Sequence, residues 1–481
     1  MAMMTQPNIV FIHVDQWRGD CLSIDGHPVV HTPFLDRLAL QGVRFSKAYV
    51  SVPSCIASRA SLMTGLSPRN HGRVGYQDGV EWNYPVTLAG EFSRAGYRTH
   101  AIGKLHVWPV RNKIGFESVE LHDGPLHIIP RYSRIHGTRH QDDYLTWLQK
   151  ETGRPDADHF EHGVHCNSVV ARPWPMEERL HPTNWLTTRS LAFLEEQHND
   201  PQQRPFFLYL SYHRPHPPYD PPAWALEQYL QAEMPDVPVG DWVGEFDDID
   251  DGVHPAAARA VYRPDILRRA RAGYYGSMTH IDHQINRFLE TLEEFPFAKN
   301  TWVVFTSDHG ELMGDHHFFR KSRPYEGSAR VPLIFTGPRD SGIAPGSVCP
   351  SVVEMRDIMP TLLEIAGLPV PGTLAGRSFL EHARGESQEP LRPWLHGEHA
   401  MGTRFGTPHW LTDGREKYVW FSGNSHEQLF DLIRDPQELH DLAPESPQRL
   451  EYWRRALATE LAGREEGYVD EQGNLVAGRP L

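Results

Sequence analysis

Five short apolar runs, separated by longer helical patterns, constrain the fold of this chain more than any other feature. The runs lie at residues 8–14, 99–102, 206–212, 302–306 and 331–335. Because they are almost continuously hydrophobic, they are typical of strands that are covered on both faces, as in a parallel sheet. Such a sheet needs helices on both of its sides.

Helix signals are present between the runs. The segments with a helical pattern are 32–41, 183–197, 268–294 and 356–366. The first begins with Thr32 and Pro33, a pair typical of a helix start, and stops at Gly42. Strands that alternate with helices predict an α/β fold, with a large, doubly wound, mostly parallel sheet flanked by helices.

A change in character after residue 372 predicts two domains, 1–372 and 373–481. In the second, residues 409–423 and 427–443 predict antiparallel strands and 447–465 a closing helix, so we expect a smaller α+β subdomain. In the first, residues 107–180 are rich in Pro, Gly, His and Arg, and we expect an insertion over one face of the sheet. Residues 235–265 are similar, and we interpret their acidic GEFDDIDDG run as a solvated loop rather than a metal site.

Composition excludes several classes of protein. The net charge of −15 over 481 residues argues against a nucleic-acid-binding surface. The four cysteines are far apart in sequence, so neither a cysteine zinc site nor a disulfide framework is expected. The N-terminal apolar run is short and carries His13, which predicts a strand rather than a signal peptide. No apolar stretch is long enough to span a membrane, so we expect a cytoplasmic protein, with a trimmed export signal as the alternative.

Four of the five apolar runs end in polar residues. The endings are Asp15-Gln16, Gly103-Lys104-Leu105-His106, His213-Arg214-Pro215-His216 and Ser307-Asp308-His309-Gly310-Glu311. In open α/β sheets, ligands bind outside the carboxyl ends of the strands. If the four strands are parallel, their polar endings converge on one edge and form a site.

The acidic endings predict a metal ion. Asp15 and Asp308 would repel each other unless a positive charge lay between them. A hard divalent cation suits the oxygen atoms of Asp15, Gln16 and Asp308, with His309 as a neighbouring ligand. The alternative is that each acid caps a helix or a turn.

The cationic residues predict an anion pocket beside that metal. They are Arg59, Lys104, His106, His216 and Lys321. Together they would suit a tetrahedral oxyanion. Arg59 stands four residues after Cys55, and therefore one turn along the same helical face. A helix that begins near Cys55 would direct its free N–H groups at the same site. Alternatively, Lys104 is a surface residue and His216 a packed one.

At this point the residues resemble a known family. The stretch CIASRASLMTG at 55–65 resembles the signature of the type I sulfatases, which belong to the alkaline phosphatase superfamily. The usual form is Cys-x-Pro-Ser-Arg, and Ala57 stands in the place of the proline. The resemblance extends through PNIVFIHVDQ, GKLH, FFLYLSYHRPHPPYDPP, TSDHGELMGDH, KSRPYEGSARVPLIF and LFDLIRDPQELHDLA, and so covers nearly the whole chain.

The resemblance implies that Cys55 is oxidised by a maturation enzyme to formylglycine, which hydrates to a diol. One hydroxyl would attack sulfur and expel the alcohol, and the other would then lose a proton and eject sulfate. Asp15, Gln16, Asp308 and His309, with the modified Cys55, would hold one divalent metal ion. Calcium is favoured, with manganese or magnesium as alternatives, and Gln16 replaces a second aspartate that is common in the family.

The same resemblance implies a role for each cationic residue. Arg59 would hold the diol, Lys104 would bind sulfate, and His106 would take the proton that triggers sulfate release. His216 and Lys321 would bind sulfate and assist the leaving group. The implied activity is hydrolysis of organic sulfate monoesters, of the arylsulfatase type.

Three alternatives stay open. Phosphonate monoester hydrolases and related phosphodiesterases share the formylglycine and the Asp-Gln opening, but they usually lack the Gly-Lys-x-His element that includes Lys104 and His106. A non-catalytic binding protein would have lost a nucleophile or a ligand, yet every such position here is filled. A zinc site built from the 29 histidines is not favoured, because they show no paired ligand spacing.

The sequence predicts the leaving-group side of the site only loosely. Loops at 107–180, 213–265 and 311–325 would build it. Aromatic and cationic residues that could line it are Trp108, Tyr132, Trp174, Trp185, Tyr219, His136 and Arg323, and ordinary packing is the alternative for each. Aryl sulfate, a sulfated sugar and choline sulfate all stay open as substrates. The sequence does not decide the oligomeric state, and a homo-oligomer stays open.

Overall fold

The computed structural model describes residues 6–123, 142–245, 252–400 and 405–478. Its strands are β1 Asn8–Asp15, β2 Val43–Phe45, β3 Ala48–Tyr49, β4 Arg98–Gly103, β5 Ser118–Leu121, β6 Phe206–Pro215, β7 Thr301–Ser307, β8 Arg330–Val331, β9 Leu333–Thr336, β10 Ser347–Cys349, β11 Val353–Glu354, β12 Leu395–Glu398, β13 Pro408–Thr412, β14 Glu416–Phe421 and β15 Glu427–Asp431. Its α-helices are α1 Pro33–Gln41, α2 Cys55–Thr64, α3 Pro68–His71, α4 Leu88–Arg94, α5 Asp143–Thr152, α6 Pro182–His198, α7 Ala223–Leu230, α8 Pro264–Glu293, α9 Glu326–Ala329, α10 Ile358–Ile365, α11 Leu380–Ala383 and α12 Pro447–Leu461.

An eight-stranded sheet forms the centre of the molecule, in the order β10-β2-β9-β7-β1-β6-β4-β5. β1 pairs in parallel with β6 and β7, and β4 pairs in parallel with β5 and β6. Within this sheet β9 runs antiparallel to both of its neighbours. The predicted mostly parallel α/β sheet is therefore confirmed.

The sheet is covered on both faces, as its apolar strands require. Along β1, Ile9 and Phe11 pack into one buried core, while Val10, Ile12 and Val14 pack into the other. Successive side chains of a strand point to opposite faces, so a strand buried on both sides must be apolar at every position. Because these strands are apolar along their length, polar functional residues are expected at the strand ends.

Two sequence interpretations differ from the structure. The run at 331–335 is not a single parallel strand: Pro332, which has no N–H to donate, separates β8 from β9. β8 belongs to a three-stranded sheet with β3 and β11. The strand β5 was not predicted, because it is a four-residue edge strand whose side chains are mostly half-buried or exposed. Most of the acidic 244–252 run lies outside the described residues.

The C-terminal part contains a four-stranded antiparallel sheet, β12-β13-β14-β15, against which α12 packs. Antiparallel strands and a closing helix were predicted here, and the boundary at residue 372 stays a prediction. Among the described residues, no helix combines the length and the apolar character needed to cross a bilayer.

A buried charged cluster, which we call the seam, joins this sheet to the larger part of the chain. Lys417 of β14 lies 2.8 Å from both Glu326 and Glu438 and is fully buried. Its ammonium also donates to the carbonyl of Pro324 at 2.8 Å. The carboxylate of Glu438 accepts from the backbone N–H of Glu326 at 2.7 Å. Through the carbonyl of Pro324, the seam therefore contacts the segment that follows Lys321.

Candidate active site

Four parallel strands of the central sheet end at one edge with polar groups. Asp15 ends β1, and Lys104, His216 and Asp308 directly follow β4, β6 and β7. Because these strands are parallel, their carboxyl ends face the same way. The structure thus brings together the four endings that the sequence singles out.

Cys55 is the first residue of α2, and its thiol faces this edge. Sγ lies 3.1 Å from Nε2 of His309 and 3.7 Å from a carboxylate oxygen of Asp15. The side chain is 2% exposed. Burial and Asp15 would raise the pKa of the thiol, but Lys104, Lys321 and His309 outweigh them and lower it. The first N–H groups of a helix have no partner within the helix, so the start of α2 adds positive potential at the same point.

Four side chains here offer metal-ligand atoms. The ligand atoms of Asp15, Cys55, Asp308 and His309 all lie within 4.8 Å of one another, and all four residues are buried. Nδ1 of His309 donates to the carbonyl of Gly310 at 2.8 Å, which leaves Nε2 directed at the carboxylates. Two carboxylates and an oriented imidazole suit a hard divalent cation.

The titration of His309 also fits a cation at this point. Burial would lower the pKa of His309, but the charges of Asp308 and Cys55 raise it. The acids therefore draw a proton to the imidazole nitrogen that faces them. A metal ion would supply that positive charge instead, so the residues present fit the group that the sequence predicts.

Gln16 has an unusual backbone and an oriented amide. Its φ of 73° lies in the left-handed region. Its N–H donates to Asp308 at 3.1 Å, and its carbonyl accepts from the Tyr274 hydroxyl at 2.6 Å. Its side-chain oxygen accepts from Lys321 at 2.8 Å, and its NH₂ donates to Glu311. Gln16 is thus at the site, with its amide oxygen engaged by Lys321, and its role as a metal ligand stays a prediction.

Arg59 lies one turn after Cys55 on α2 and is fixed by several acceptors. Its Nε donates to Asp308 at 2.9 Å, and Nη1 donates to the Lys104 carbonyl at 2.8 Å and the Ser211 hydroxyl at 2.9 Å. Burial would lower its pKa, but Asp308 raises it. Nη2 is buried and has no hydrogen-bond partner among the described residues. A buried charged donor without an acceptor is costly, so this atom is placed to bind an anion or a hydroxyl.

Three further basic residues surround Asp15. Lys104 forms an ion pair with its carboxylate, and the backbone N–H of His216 donates to its carbonyl at 3.1 Å. Burial would raise the pKa of Asp15, but Lys104, together with His309, holds it well below its usual range. This carboxylate therefore stays ionised inside the protein.

His216 is oriented by its neighbours on both sides. Its backbone N–H is held by the Asp15 carbonyl, and its ring Nδ1 donates to the carbonyl of Pro217 at 2.8 Å. The proton on Nδ1 leaves Nε2 as the ring atom available to a ligand. Burial, followed by the charges of Lys321 and Lys104, lowers the pKa of His216. The imidazole is therefore neutral until an anion offsets the two lysines.

His106 is held by the loop that follows β4. Its φ of 58° lies in the left-handed region. The backbone N–H groups of Leu105 and His106 both donate to one carboxylate oxygen of Asp123. Its ring lies 6.0 Å from that of Tyr76 in an edge-to-face arrangement, and it is 1% exposed. The predicted proton acceptor is thus buried on the same edge of the sheet as Lys104.

Those residues suggested for the leaving-group side that the structure describes lie in different parts of the fold. Trp174, Trp185 and Tyr219 pack in the core on the α8 side of the sheet. Trp108 packs against the other core, and Arg323 stacks on the ring of Phe318 at 4.6 Å. Tyr132 and His136 lie outside the described residues. Trp174 and Trp185 are thus packed in the core, while the hydroxyl of Tyr219 also donates to Glu311 at the site.

Several residues that position the site were missed in the sequence. Glu311 accepts from Gln16, from the Tyr219 hydroxyl at 3.3 Å and from the Met313 N–H at 2.8 Å. Its place directly after Asp308-His309-Gly310 was the available signal. Ser211 and Tyr209 of β6 contact Arg59, and their alternation along the strand was the signal for both.

Comparison with protein families gives two matches. The model described as "Sulfatase" matches residues 7–368. The model described as "N-sulphoglucosamine sulphohydrolase, C-terminal" matches residues 314–464. Together they cover the central sheet, the candidate site and most of the C-terminal sheet and helix.

Individual proteins are also similar along nearly the whole chain. An arylsulfatase of Clostridium perfringens is 46% identical over 99% of this chain and 98% of its own length. A choline-sulfatase of Rhizobium meliloti is 29% identical over 91% of this chain and 82% of its own. The crystal structure of the phosphonate monoester hydrolase of Agrobacterium radiobacter matches 99% of this chain and 100% of that one, with a TM-score of 0.78 and 26% identity.

Proposed function

This chain belongs to the sulfatase family and is a sulfatase, and we propose that it cleaves aryl sulfate monoesters through a formylglycine made from Cys55. The observation that carries the proposal is the position of Cys55. Its thiol stands in the first turn of α2, against His309 and Asp15, with Arg59 one turn behind it. In the modified protein, the oxygen atoms of the hydrated aldehyde would occupy the place of this sulfur.

Asp15, Asp308, His309 and the modified Cys55 would hold one divalent metal ion, with Gln16 as a further oxygen ligand. Calcium is favoured, because most of these ligands are hard oxygen atoms. Bound there, the ion would neutralise charge on the sulfate oxygens and lower the pKa of the hydroxyl that the hydrated aldehyde supplies as nucleophile.

The charges of the chain fit a sulfate monoester. The network contains three carboxylates and three permanent cations, namely Asp15, Asp308, Glu311, Arg59, Lys104 and Lys321. These charges cancel, so a divalent ion would leave the site positive by two. A sulfate monoester carries one negative charge, and it would enter a pocket of opposite sign.

Some of the basic side chains would bind the nucleophile and the sulfate group, and others would transfer protons. Arg59 would hold the nucleophile through Nη2, the donor that lacks a partner among the described residues. Lys104 and Lys321 would bind sulfate oxygens through Nζ. The negative charge of the substrate would offset both lysines and raise the pKa of His216, so that its Nε2 could protonate the leaving alcohol. His106 would accept the proton whose loss releases sulfate.

A second candidate is hydrolysis of phosphonate monoesters or phosphate diesters. Two observations favour it as an accompanying activity: the Asp15-Gln16 pair and the likeness to a phosphonate monoester hydrolase. We rank it second because Lys104 and His106 are both present at the site and because the 46% identical relative is an arylsulfatase. The choline-sulfatase relative makes choline sulfate a further substrate to test.

Rates on matched substrates test the order of these activities. We expect kcat/KM for 4-nitrophenyl sulfate to exceed that for phenylphosphonate monoesters, phosphate diesters and choline sulfate. A higher kcat/KM for the phosphonate ester would reverse the two candidates. A higher kcat/KM for choline sulfate would support sulfate-ester hydrolysis but would make choline, rather than an aryl alcohol, the preferred leaving group.

Mass spectrometry of the peptide that contains position 55 tests the nucleophile. We expect an aldehyde or its hydrate in the active protein, made by a formylglycine-generating maturation enzyme in the producing cell. Active protein with an unmodified thiol at this position would contradict the proposal. The same peptide from protein produced without such an enzyme is the control, and it should carry the thiol and show little activity.

A further inference from the structure

Three histidines form a row beside the sulfate pocket, and the proposed function uses only the last of them. We call His122, His213 and His216 the imidazole row. The ring centres of His213 and His216 are 5.1 Å apart, and those of His122 and His213 are 5.8 Å apart. All three residues are buried. The row therefore extends from His216, a predicted sulfate ligand, through His213 to His122.

His213 lies at an irregularity in β6. Val14 of β1 pairs with Tyr212, but the next residue, Asp15, pairs with Pro215. Two residues of β6, His213 and Arg214, are thus inserted opposite a single step of β1. Bulges of this kind redirect side chains and are frequent beside active sites. Here the insertion lies level with the carboxylate that the sequence assigns to the metal.

The proton position on His213 follows from its contact with Arg214. Nη1 of Arg214 lies 2.7 Å from Nδ1 of His213. A guanidinium can only donate, so Nδ1 must accept, and the ring proton must lie on Nε2. His213 is therefore a neutral imidazole with one N–H donor.

Arg214 is itself fixed by Asp220. Its Nε and Nη2 donate to the two carboxylate oxygens at 2.6 and 2.7 Å. Asp220 also lies 3.1 Å from Nε2 of His162. Both members of this ion pair are 1% exposed or less. A bidentate pair of this kind holds the guanidinium in one orientation, and it thereby holds the tautomer of His213.

The N–H of His213 has no acceptor among the described residues. Nε2 is buried and makes no hydrogen bond there. Burial lowers the pKa of His213, and the charge of Lys104 is the next contribution. The His213 ring lies 5.1 Å from the ring of His216, a predicted sulfate ligand, so the unsatisfied donor and the predicted sulfate pocket are neighbours. A buried donor without a partner is costly, which favours an acceptor supplied by a ligand.

We propose that His213 is a substrate-binding residue that donates its Nε2–H to an oxygen of the bound sulfate ester, with Arg214 and Asp220 as positioning residues that fix its tautomer. The proposal rests on the proposed function, since it assumes that the pocket receives a sulfate group. A neutral donor adds a directed hydrogen bond without adding charge. It thereby complements Lys104, whose ammonium attracts an anion from any direction.

Two substitutions separate the donor from the contact with Arg214. His213→Asn keeps an acceptor near the position of Nδ1 but has no group at Nε2. His213→Gln can place an N–H donor near Nε2. Sulfate binding is measured by calorimetry on the calcium-supplemented protein, kcat and KM are measured with 4-nitrophenyl sulfate, and the melting temperature checks the fold.

We expect His213→Asn to weaken sulfate binding and to lower kcat/KM by about 10- to 100-fold, the loss of one hydrogen bond to a charged acceptor. We expect His213→Gln to restore about a tenth or more of the wild-type values. Sulfate binding within about threefold of wild type in both variants would overturn the proposal, and so would equal losses in both at unchanged melting temperature. If His213→Asn does not fold, the Gln variant decides: a loss of more than about tenfold would overturn the proposal.

The same measurements separate this inference from the proposed function. Wild-type protein that binds sulfate but hydrolyses no sulfate ester would refute the proposed function. The sulfate affinities of the His213 variants would then be the test of His213 as a ligand-binding residue. Wild-type protein that neither binds sulfate nor hydrolyses a sulfate ester would overturn both.

Discussion

Among the described residues, two buried lysine–carboxylate pairs contain carboxyl groups whose pKa values are shifted in opposite directions. At the edge of the central sheet, Lys104 contacts Asp15, and at the seam Lys417 contacts Glu438. Burial would raise the pKa of both acids. The basic residues around Asp15 hold its pKa well below the usual range. At the seam, Lys417 lowers the pKa of Glu438, but burial and the second carboxylate, Glu326, prevail and raise it to about 7.

The difference distinguishes a site that can bind a charged ligand from a cluster whose charged groups are paired with one another. Around Asp15, basic groups outnumber what one carboxylate needs, and Arg59 keeps a donor that no described residue uses. At the seam, one ammonium serves two carboxylates and a carbonyl. We therefore expect changes at the edge to act on turnover and changes at the seam to act on stability.

The largest effect is expected at the nucleophile of the edge. Cys55→Ser should lower kcat by about a thousandfold or more, because a serine has no second hydroxyl through which a sulfate ester could be released. Binding of inorganic sulfate should persist, since the cationic residues are unchanged. Steady-state kinetics and calorimetry check both parts. Turnover close to wild type by this variant would contradict the assignment of Cys55.

Lys104→Met removes the cation of the edge pair. We expect kcat/KM for an aryl sulfate to fall by about 100-fold, because one charged contact to the sulfate group is lost. With calcium present, the melting temperature should change little, since the proposed ion would also neutralise Asp15. Kinetics and a thermal melt measure the two quantities. A large loss of stability with unchanged kcat/KM would show that this pair is structural, like the seam.

Lys417→Met makes the same substitution at the seam. We expect the free energy of unfolding to fall by about 3 kcal/mol, because Glu326 and Glu438 lose their buried partner. The kcat of the folded protein should stay within about twofold of wild type, an effect below about 1 kcal/mol. Denaturant unfolding and kinetics at low temperature check this. Adding Glu438→Gln to Lys417→Met should recover part of the stability, and no recovery would count against the seam as described.

Glu438→Gln should change the pH dependence of stability. The pKa of Glu438 is raised from 4.5 to about 7 in the folded protein. Its protonated form is favoured there, so its contribution to stability is complete below pH 4.5 and is lost as the pH rises through about 7. Relative to the Gln variant, the wild-type protein should therefore lose about 2–3 kcal/mol between about pH 5 and pH 8. Parallel denaturant titrations test this, and identical pH profiles would contradict it.

The sequence predicted which polar residues lie together at the edge of the central sheet, because each of them directly follows a strand of the parallel sheet. An acid directly after a buried strand lies at the carboxyl end of that strand. Because β1 and β7 are parallel neighbours, Asp15 and Asp308 lie close together at the same edge of the sheet. The spacing of Cys55 and Arg59 fixed their common helical face in the same way. These predictions needed only the period of a strand and of a helix.

Contacts between distant segments could not be predicted in this way. The tautomer of His213 depends on Asp220, because Asp220 holds Arg214 and Arg214 donates to Nδ1 of His213. Glu311 acts by accepting from Gln16, almost three hundred residues earlier in the chain. The seam joins residues from three separate segments. Periodicity carries no information about such pairings, because they depend on how the packed elements face one another.

The burial of Cys55 has a consequence for the life of the protein in the cell. The thiol is 2% exposed, and all ten residues of its helix are buried. An enzyme that modifies Cys55, as proposed, would have to reach a thiol that the folded protein buries. On that proposal, we expect the modification to precede complete folding. A molecule that folded first would keep its thiol, and the active fraction of a preparation would then depend on how the protein was made.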